Sequence, residues 1–222
     1  MQCGRFICER KMKDVNYITA YTKISSGKVS LNGNILQTNT ESLAAVDFLK
    51  AIYKQQEISY PKFYKMDSLC KLAFVASELL MRANKVTEKY RSADIAIVIA
   101  NSASSLEVDT EHQTTIADKN NYFPSPAVFV YTLPNILIGE IAIRNLIKGE
   151  NTFFIFDTFD ARFMSSYINS LLNTGKANCC ITGWIDFYEN EYEAFLYTVE
   201  KTAAGTGIEH TEEKLNNLHT KN

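Results

Sequence analysis

The chain has 222 residues, 46% of them hydrophobic and 22% charged, with a formal net charge of −2. This balance fits one globular domain with a sizeable core and argues against general affinity for nucleic acid or an anionic membrane. No apolar run approaches the roughly 20 residues of a membrane-spanning helix.

Twelve Tyr and thirteen Phe are many for this length, and such a surplus predicts surface that a partner covers. The five cysteines, Cys3, Cys8, Cys70, Cys179 and Cys180, are odd in number and follow no metal-ligand spacing. They read as reduced, buried thiols of a cytoplasmic protein, and neither a metal nor a cofactor is expected. Cys179 and Cys180 are adjacent, so on a strand they point to opposite faces.

Residues 1–13 carry charges at Arg5, Glu9, Arg10, Lys11 and Lys13 and no apolar core. They are expected to be a disordered extension rather than a signal peptide. Val15 to Thr22 (VNYITAYT) is β-branched and aromatic and predicts a strand. Ser25 to Asn34, punctuated by Gly and Asn, reads as loop. Thr38 and Glu41 stand at capping-box spacing before a helix over Leu43 to Tyr53. Tyr60-Pro61 breaks the chain. Met66, Leu69, Cys70, Ala73, Ser77 and Leu80 then fall on one helical face, which predicts a helix over Met66 to Ala83.

Asp94 to Asn101 (DIAIVIAN) has the look of a strand buried on both faces. Ser102 to Tyr122 is polar and reads as a surface excursion. Pro134 suits the first turn of a helix over Ile136 to Ile147, in which Glu140 and Arg144 stand at i,i+4 and Gly139 permits close packing. Thr152 to Phe156 predicts a second buried strand. Ala161 to Asn173 predicts a helix closed by Gly175, and Asn178 to Trp184 a third strand. Glu189 to Lys201 reads as helix, and the tail from Gly205 as frayed. Gly205-Thr-Gly207 is too short to cradle phosphate. This alternation predicts an α/β fold with a largely parallel sheet.

Four segments, YPKFYKMDSLCKLAFVASELL, NSASSLEVDTEHQ, YFPSPAVFVYTLPNILIGEIAIRNLIKGEN and NTGKANCCITGW, come in an order and spacing that resembles the N-terminal half of a β-ketoacyl synthase. The run from Pro134 to Arg144 is the most specific. The likeness is greatest to short ketosynthase-like proteins of aryl-polyene and flexirubin pigment clusters, and it runs from about Val15 to about Lys201. It implies a thiolase-like fold, of which this chain supplies the N-terminal half only: a mostly parallel βαβαβ sheet of the five-layer type with flanking helices. The domain is expected over residues 14–203, with a polar tail over 204–222.

In that family a cysteine follows the third strand at the N-terminus of the next helix, where the helix dipole and free N–H groups favour a thiolate and an oxyanion. Here the position falls at Thr158, between Asp157 and Phe159, in FIFDTFDARF. Threonine is a weak nucleophile without an adjacent base. Asp157 and Asp160 would also place negative charge near an acyl or malonyl thioester. The family's catalytic histidine pair belongs to the second half, and His112, His210 and His219 read as surface histidines. Asp157-Thr158 reads either as an altered active site or as a helix N-cap.

The resemblance therefore implies an acyltransferase relative, a 3-oxoacyl-[acyl-carrier-protein] synthase type, that has lost its nucleophile. The expected role is that of a chain-length-factor-like subunit pairing with a full-length ketosynthase, or with itself, with acyl carrier protein nearby. The alternative is residual hydrolysis or decarboxylation of a thioester, or a carrier-binding module. Phe153, Phe154, Ile155 and Phe156 form an uncharged strand which the resemblance puts at the sheet edge, paired antiparallel across a subunit interface. An absent second half would leave a further apolar face bare.

Overall fold

The computed structural model describes residues 15–120, 123–201 and 207–221. Eight strands form one sheet: β1 (Tyr17–Ser25), β2 (Lys28–Leu31), β3 (Asn34–Thr38), β4 (Ile95–Asn101), β5 (Asn151–Ile155), β6 (Cys179–Tyr188), β7 (Glu191–Glu200) and β8 (Ile208–Glu209). The order is β3-β2-β1-β7-β6-β4-β5, with β8 pairing β1 beyond this path. β4 lies in the interior of the parallel part and every one of its residues is buried, as its unbroken apolar run predicts.

The sheet is mixed rather than largely parallel. Only β4–β5 and β4–β6 run parallel; the other pairs are antiparallel. Three two-residue turns account for much of the difference. Ser26-Gly27, Asn32-Gly33 and Glu189-Asn190 all have positive φ at both positions, the backbone that matches the twist of tight hairpins. The first two turn the expected loop over Ser25 to Asn34 into β1-β2-β3. The third folds Glu191–Glu200 back on β6 as a strand where a helix was expected. EYEAFLYTVE carries aromatic and β-branched residues that gain more from this pairing than from a helix.

Eight α-helices complete the described residues. On one face of the sheet lie α1 (Ala45–Gln55), α2 (Ser68–Asn84) and α6 (Ile136–Asn145), around Phe48, Phe63, Phe74 and Leu80. The Thr38–Glu41 capping box does not form: Thr38 ends β3, and α1 starts after Ala44 without a side-chain cap. Helix α2 agrees with its expected span. Asp67 caps it, accepting from the Cys70 N–H at 3.2 Å. Buried Glu78 on α2 takes a two-pronged contact from Arg144, at 2.9 and 3.1 Å. Arg144 therefore does not pair with Glu140, which instead meets Lys62 at 2.7 Å. Nor does Gly139 serve close packing, since a Cβ there would meet nothing within 4 Å.

The short α3 (Val86–Lys89) follows α2, while α4 (Leu106–Ile116) and α5 (Pro126–Val130) follow β4. Thus the polar stretch after Ser102 is helical in part, with Val108 buried. On the other face of the sheet lie α7 (Ala161–Asn173), which matches its expected span, and α8 (Glu212–Thr220). Far from fraying, α8 buries Leu215 and Leu218 against the cluster of Trp184, Phe195 and Tyr197. Around α7 the outward residues Arg162, Ser166, Ser170 and Asn173 are exposed and polar, so the bare apolar face expected for a half-molecule is not found there. Exposed apolar side chains lie on α5, α6 and β5 instead: Phe129, Val130, Ile143 and Ile155.

Because α8 closes this layer, Leu215→Ala should cost about 3 kcal/mol. Urea unfolding monitored by far-UV circular dichroism measures it; a loss under about 1 kcal/mol would mean that α8 docks without supporting the core.

Candidate functional site

Strand β5 ends beside β4, where the Phe156 N–H donates to the Asn101 carbonyl at 3.0 Å. The chain then bends through Asp157 and Thr158, both exposed, and enters α7. The helix is capped by Asp160, which accepts the Phe163 N–H at 2.8 Å. Neither Asp157 nor Thr158 caps the helix, so this reading is corrected: the cap needs a residue directly before Ala161. Exposed Thr158 lines an open cleft of about 600 Å³.

The end of β5, with Ile155, and three further parts of the chain build that cleft. The bend supplies Asp157, Thr158 and Phe159, the start of α7 supplies Arg162, and α8 supplies Glu212 and Asn216. With Asp160 also at the lip, carboxylates outnumber the one guanidinium. Phe159, half-buried, forms the floor. Its ring meets Phe195 edge-on at 5.7 Å and Trp184 at 6.3 Å, and His219 covers it at 4.6 Å.

His219 is therefore no solvated surface residue. Its Nε2 lies 3.1 Å from Glu193 Oε1, and the imidazole at that distance holds the Glu193 carboxyl below its ordinary range. The buried Lys23 ammonium donates to the carbonyls of Leu218, His219 and Lys221 at the end of α8. Burial pulls the Lys23 pKa down, against the opposing pull of Glu193. A Lys on β1, a Glu on β7 and a His on α8 share one anchor, which their separation in sequence hides. His210 is buried as well: Nδ1 lies 2.9 Å from Asn169 Oδ1, and burial pushes its pKa down to about 3. The surface reading holds best for His112, which is half-exposed and rests 5.5 Å from the Phe129 ring.

Cys70, Cys179 and Cys180 are free and buried. Cys179 joins the α2 side of the core and Cys180 the α7 side, as adjacent strand residues must. Burial pushes all three thiols up, the reverse of what a nucleophilic cysteine needs. Cys3 and Cys8 lie outside the described residues. Among the described residues, no group of three or more His, Cys, Asp and Glu could hold a metal ion, and no helix is long and apolar enough to cross a membrane. Strand β5 stands at the edge of the sheet. Phe153 turns to the α2 side, Phe154 and Phe156 to the α7 side, and Ile155 is 55% exposed.

No protein-family model matches the chain, and no curated protein matches its sequence. Solved structures do. The ishigamide ketosynthase/chain length factor superposes with a TM-score of 0.62 at 17% identity, over 86% of this chain and 63% of that one. The fold is the thiolase-like fold of the ketosynthases. The structure of the ketosynthase ApeO in complex with its chain length factor ApeC, from Xenorhabdus doucetiae, matches with a TM-score of 0.55 at 13% identity. There the alignment takes in 92% of this chain and 90% of the other, so the two are of similar length. AntDE:AntF, a type II polyketide synthase acyl-carrier protein in complex with its ketosynthase, gives a TM-score of 0.58 at 14% identity, over 86% of this chain and 64% of that one. The chain thus spans under two thirds of the ishigamide and AntDE:AntF chains.

Two measurements check the site. Asp160→Ala should cost about 1 kcal/mol and Thr158→Ala less than about 0.5 kcal/mol in the same urea assay; the opposite ranking would restore Thr158 as the cap. His210 stays neutral in the folded chain down to pH of about 3, whereas in the unfolded chain it takes a proton near its ordinary value of about 6.5. Stability contributed by His210 should therefore fall as pH drops through that window, by up to about 1.4 kcal/mol per unit. His210→Asn should flatten the slope; an unchanged slope would show that His210 is not its source.

Proposed function

We propose that the chain is a non-catalytic ketosynthase-like subunit that pairs with an active ketosynthase in fatty-acid- or polyketide-type chain elongation, of the aryl-polyene or flexirubin kind. The observation that carries this reading is Thr158, a threonine in the bend between β5 and α7 where the ketosynthase resemblance expects the nucleophilic cysteine. Its surroundings support the same reading. The cleft is rimmed by Asp157, Asp160 and Glu212, a charge that repels a malonyl carboxylate. Phe159 fills the floor on which an acyl chain would have to lie, and the described thiols are buried and protonated.

The subunit's contribution would then be surface. β5 is an uncharged edge strand without Pro, the kind that natural sheets leave uncovered at the risk of aggregation. Exposed Ile155 on that strand and Ile143 and Leu146 on and after α6 add apolar area. Pairing with a full-length ketosynthase would cover them and complete the partner's acyl channel, and acyl carrier protein would bind mainly to that partner. A homodimer through the same edge is the simpler alternative. A second function, hydrolysis or decarboxylation of an acyl or malonyl thioester, has the exposure of Thr158 in its favour.

Ile155→Lys is the variant to test, because Ile155 is 55% exposed whereas Phe154 packs on Phe156, Phe163 and Tyr167. It should abolish co-purification with a full-length ketosynthase from the same organism, and Lys119→Glu should not. A protein that stays monomeric at micromolar concentration and binds no ketosynthase would refute the subunit reading. Condensation by the chain alone, or loss of thioester turnover in Thr158→Ala with folding intact, would favour an enzyme.

A further inference from the structure

The sheet has a second open edge, β3, on the side away from β5. Its five residues, Asn-Ile-Leu-Gln-Thr, include neither charge nor proline, and Ile35 and Leu36 are 63% and 38% exposed. Its one irregularity is a bulge. Ser30 pairs with Ile35 but Val29 with Gln37, so Leu36 is the extra residue. A bulge of one residue reverses the alternation of faces along the strand. Ile35 therefore shares a face with Ser30 and, through the β1 pairing, with Lys23. Gln37 shares the opposite face with Val29 and Ile24.

Each face holds a groove beside β3. On the α8 side about 330 Å³ is enclosed by Tyr21, Lys23, Lys28, Ile35, Leu218 and Lys221, with no carboxylate in its lining; the Lys23 ammonium is tied to the α8 carbonyls, so the basic groups presented to a ligand are those of exposed Lys28 and Lys221. On the α1 side about 440 Å³ is lined by Gln37, Asn39, Thr40, Glu41, Phe48 and Gln55 among others. There Gln37 Oε1 is buried and has no hydrogen-bond partner. An open strand edge flanked by one groove per face is the arrangement that receives an added strand: main-chain bonds hold it, and alternate side chains enter alternate grooves.

The geometry points to β3 as a docking site for an extended acidic segment of a partner protein, its carboxylate side chains entering the basic groove and small polar ones the Gln37 groove. Charge selects this occupant. The chain's own residues 1–14 carry Arg5, Arg10, Lys11 and Lys13 against Glu9 and Asp14, the wrong sign for a groove lined by lysines. A second copy joined edge to edge would bring two such lysine-lined grooves together, which like charge opposes. A carboxylate entering the lysine-lined groove meets no such opposition, and a small hydroxyl side chain on the other face can donate to Gln37 without placing a second carboxylate beside Glu41. The β5 edge takes no part, so this site stands or falls independently of the subunit proposed above.

The test is a capped hexapeptide of alternating threonine and glutamate, titrated into isotope-labelled full-length protein and followed by backbone amide NMR. Residues 34–38 should shift, and affinity should exceed that for the threonine–lysine counterpart by at least roughly tenfold. Ile35→Glu and Lys28→Glu, both at exposed positions, should each weaken binding by roughly tenfold or more, whereas Ile155→Lys should leave it unchanged. Absence of shifts in residues 34–38, equal binding of the lysine peptide, or indifference to Ile35→Glu would overturn the proposal. So would a concentration-dependent dimer that Ile35→Glu dissolves, because that result would assign the edge to a second copy.

Discussion

Strand β6 joins the two parts of this molecule, and its pairing on either side is what the rest depends on. It runs parallel to β4 from Ile95–Cys179 to Ala100–Trp184, and antiparallel to β7 from Cys179–Glu200 to Tyr188–Glu191. A single residue governs how closely β7 can approach. Gly183 has φ of +151, and a Cβ there would fall 1.9 Å from the Phe195 carbonyl oxygen. No larger residue fits without separating the strands, and separation would displace Phe195, the ring on which Phe159 and His219 rest. The cleft at Thr158 is thus shaped from behind by a backbone contact between β6 and β7.

That dependence explains why parts of the fold were legible in the sequence and others were not. β4, α2 and α7 announce themselves through burial alone: an unbroken apolar run, or apolar positions at helical spacing over three or more turns. β7 does not. Its alternation is blurred because Ala194 to Glu200 are all buried, so the period-2 signal of a half-exposed strand is lost. The β1-β2-β3 hairpins were written in Ser-Ser-Gly and in Asn-Gly, a dipeptide that favours two-residue hairpin turns, but short flanking strands made the punctuation look like loop. Helix α8 lay beyond a Gly-containing segment and is polar on most of its surface. Only Leu215 and Leu218 hint at docking, and two residues are too few to carry a periodicity.

The candidate site divides along the same line. The position of Thr158 between a strand and a helix could be read from FIFDTFDARF, since the strand and the helix are each locally encoded. The identity of the cap could not be chosen among three nearby polar residues until the first helical residue was known, and Asp160 takes the role by adjacency. His219, Glu193 and Lys23 form an anchor across three elements, and nothing in the spacing of residues 23, 193 and 219 reveals it. Arg144 likewise prefers Glu78 on a neighbouring helix to Glu140 on its own. Two oxygens of a buried carboxylate receive both prongs of the guanidinium, while the equally buried Glu140 is already paired with Lys62.

The two sheet edges close the argument about what kind of surface this chain presents. A sheet that buries its faces under helices has only its edges left for backbone pairing, and here both are free of charge. At β5 the neighbouring side chains are aromatic: Phe154 and Phe156 stack 5.7 Å apart, with Phe163 and Tyr167 completing the group. At β3 they are lysine and hydroxyl-bearing residues around Ile35. Edges with such different surroundings cannot serve the same partner surface. The aromatic edge favours a large, dry contact with a folded subunit, in which apolar burial supplies the affinity. The lysine-lined edge favours a narrow, extended segment whose charge supplies the selectivity. A chain that exposes both edges offers two separate surfaces for backbone pairing, and the proposed subunit contact and the proposed segment-docking site draw on one each.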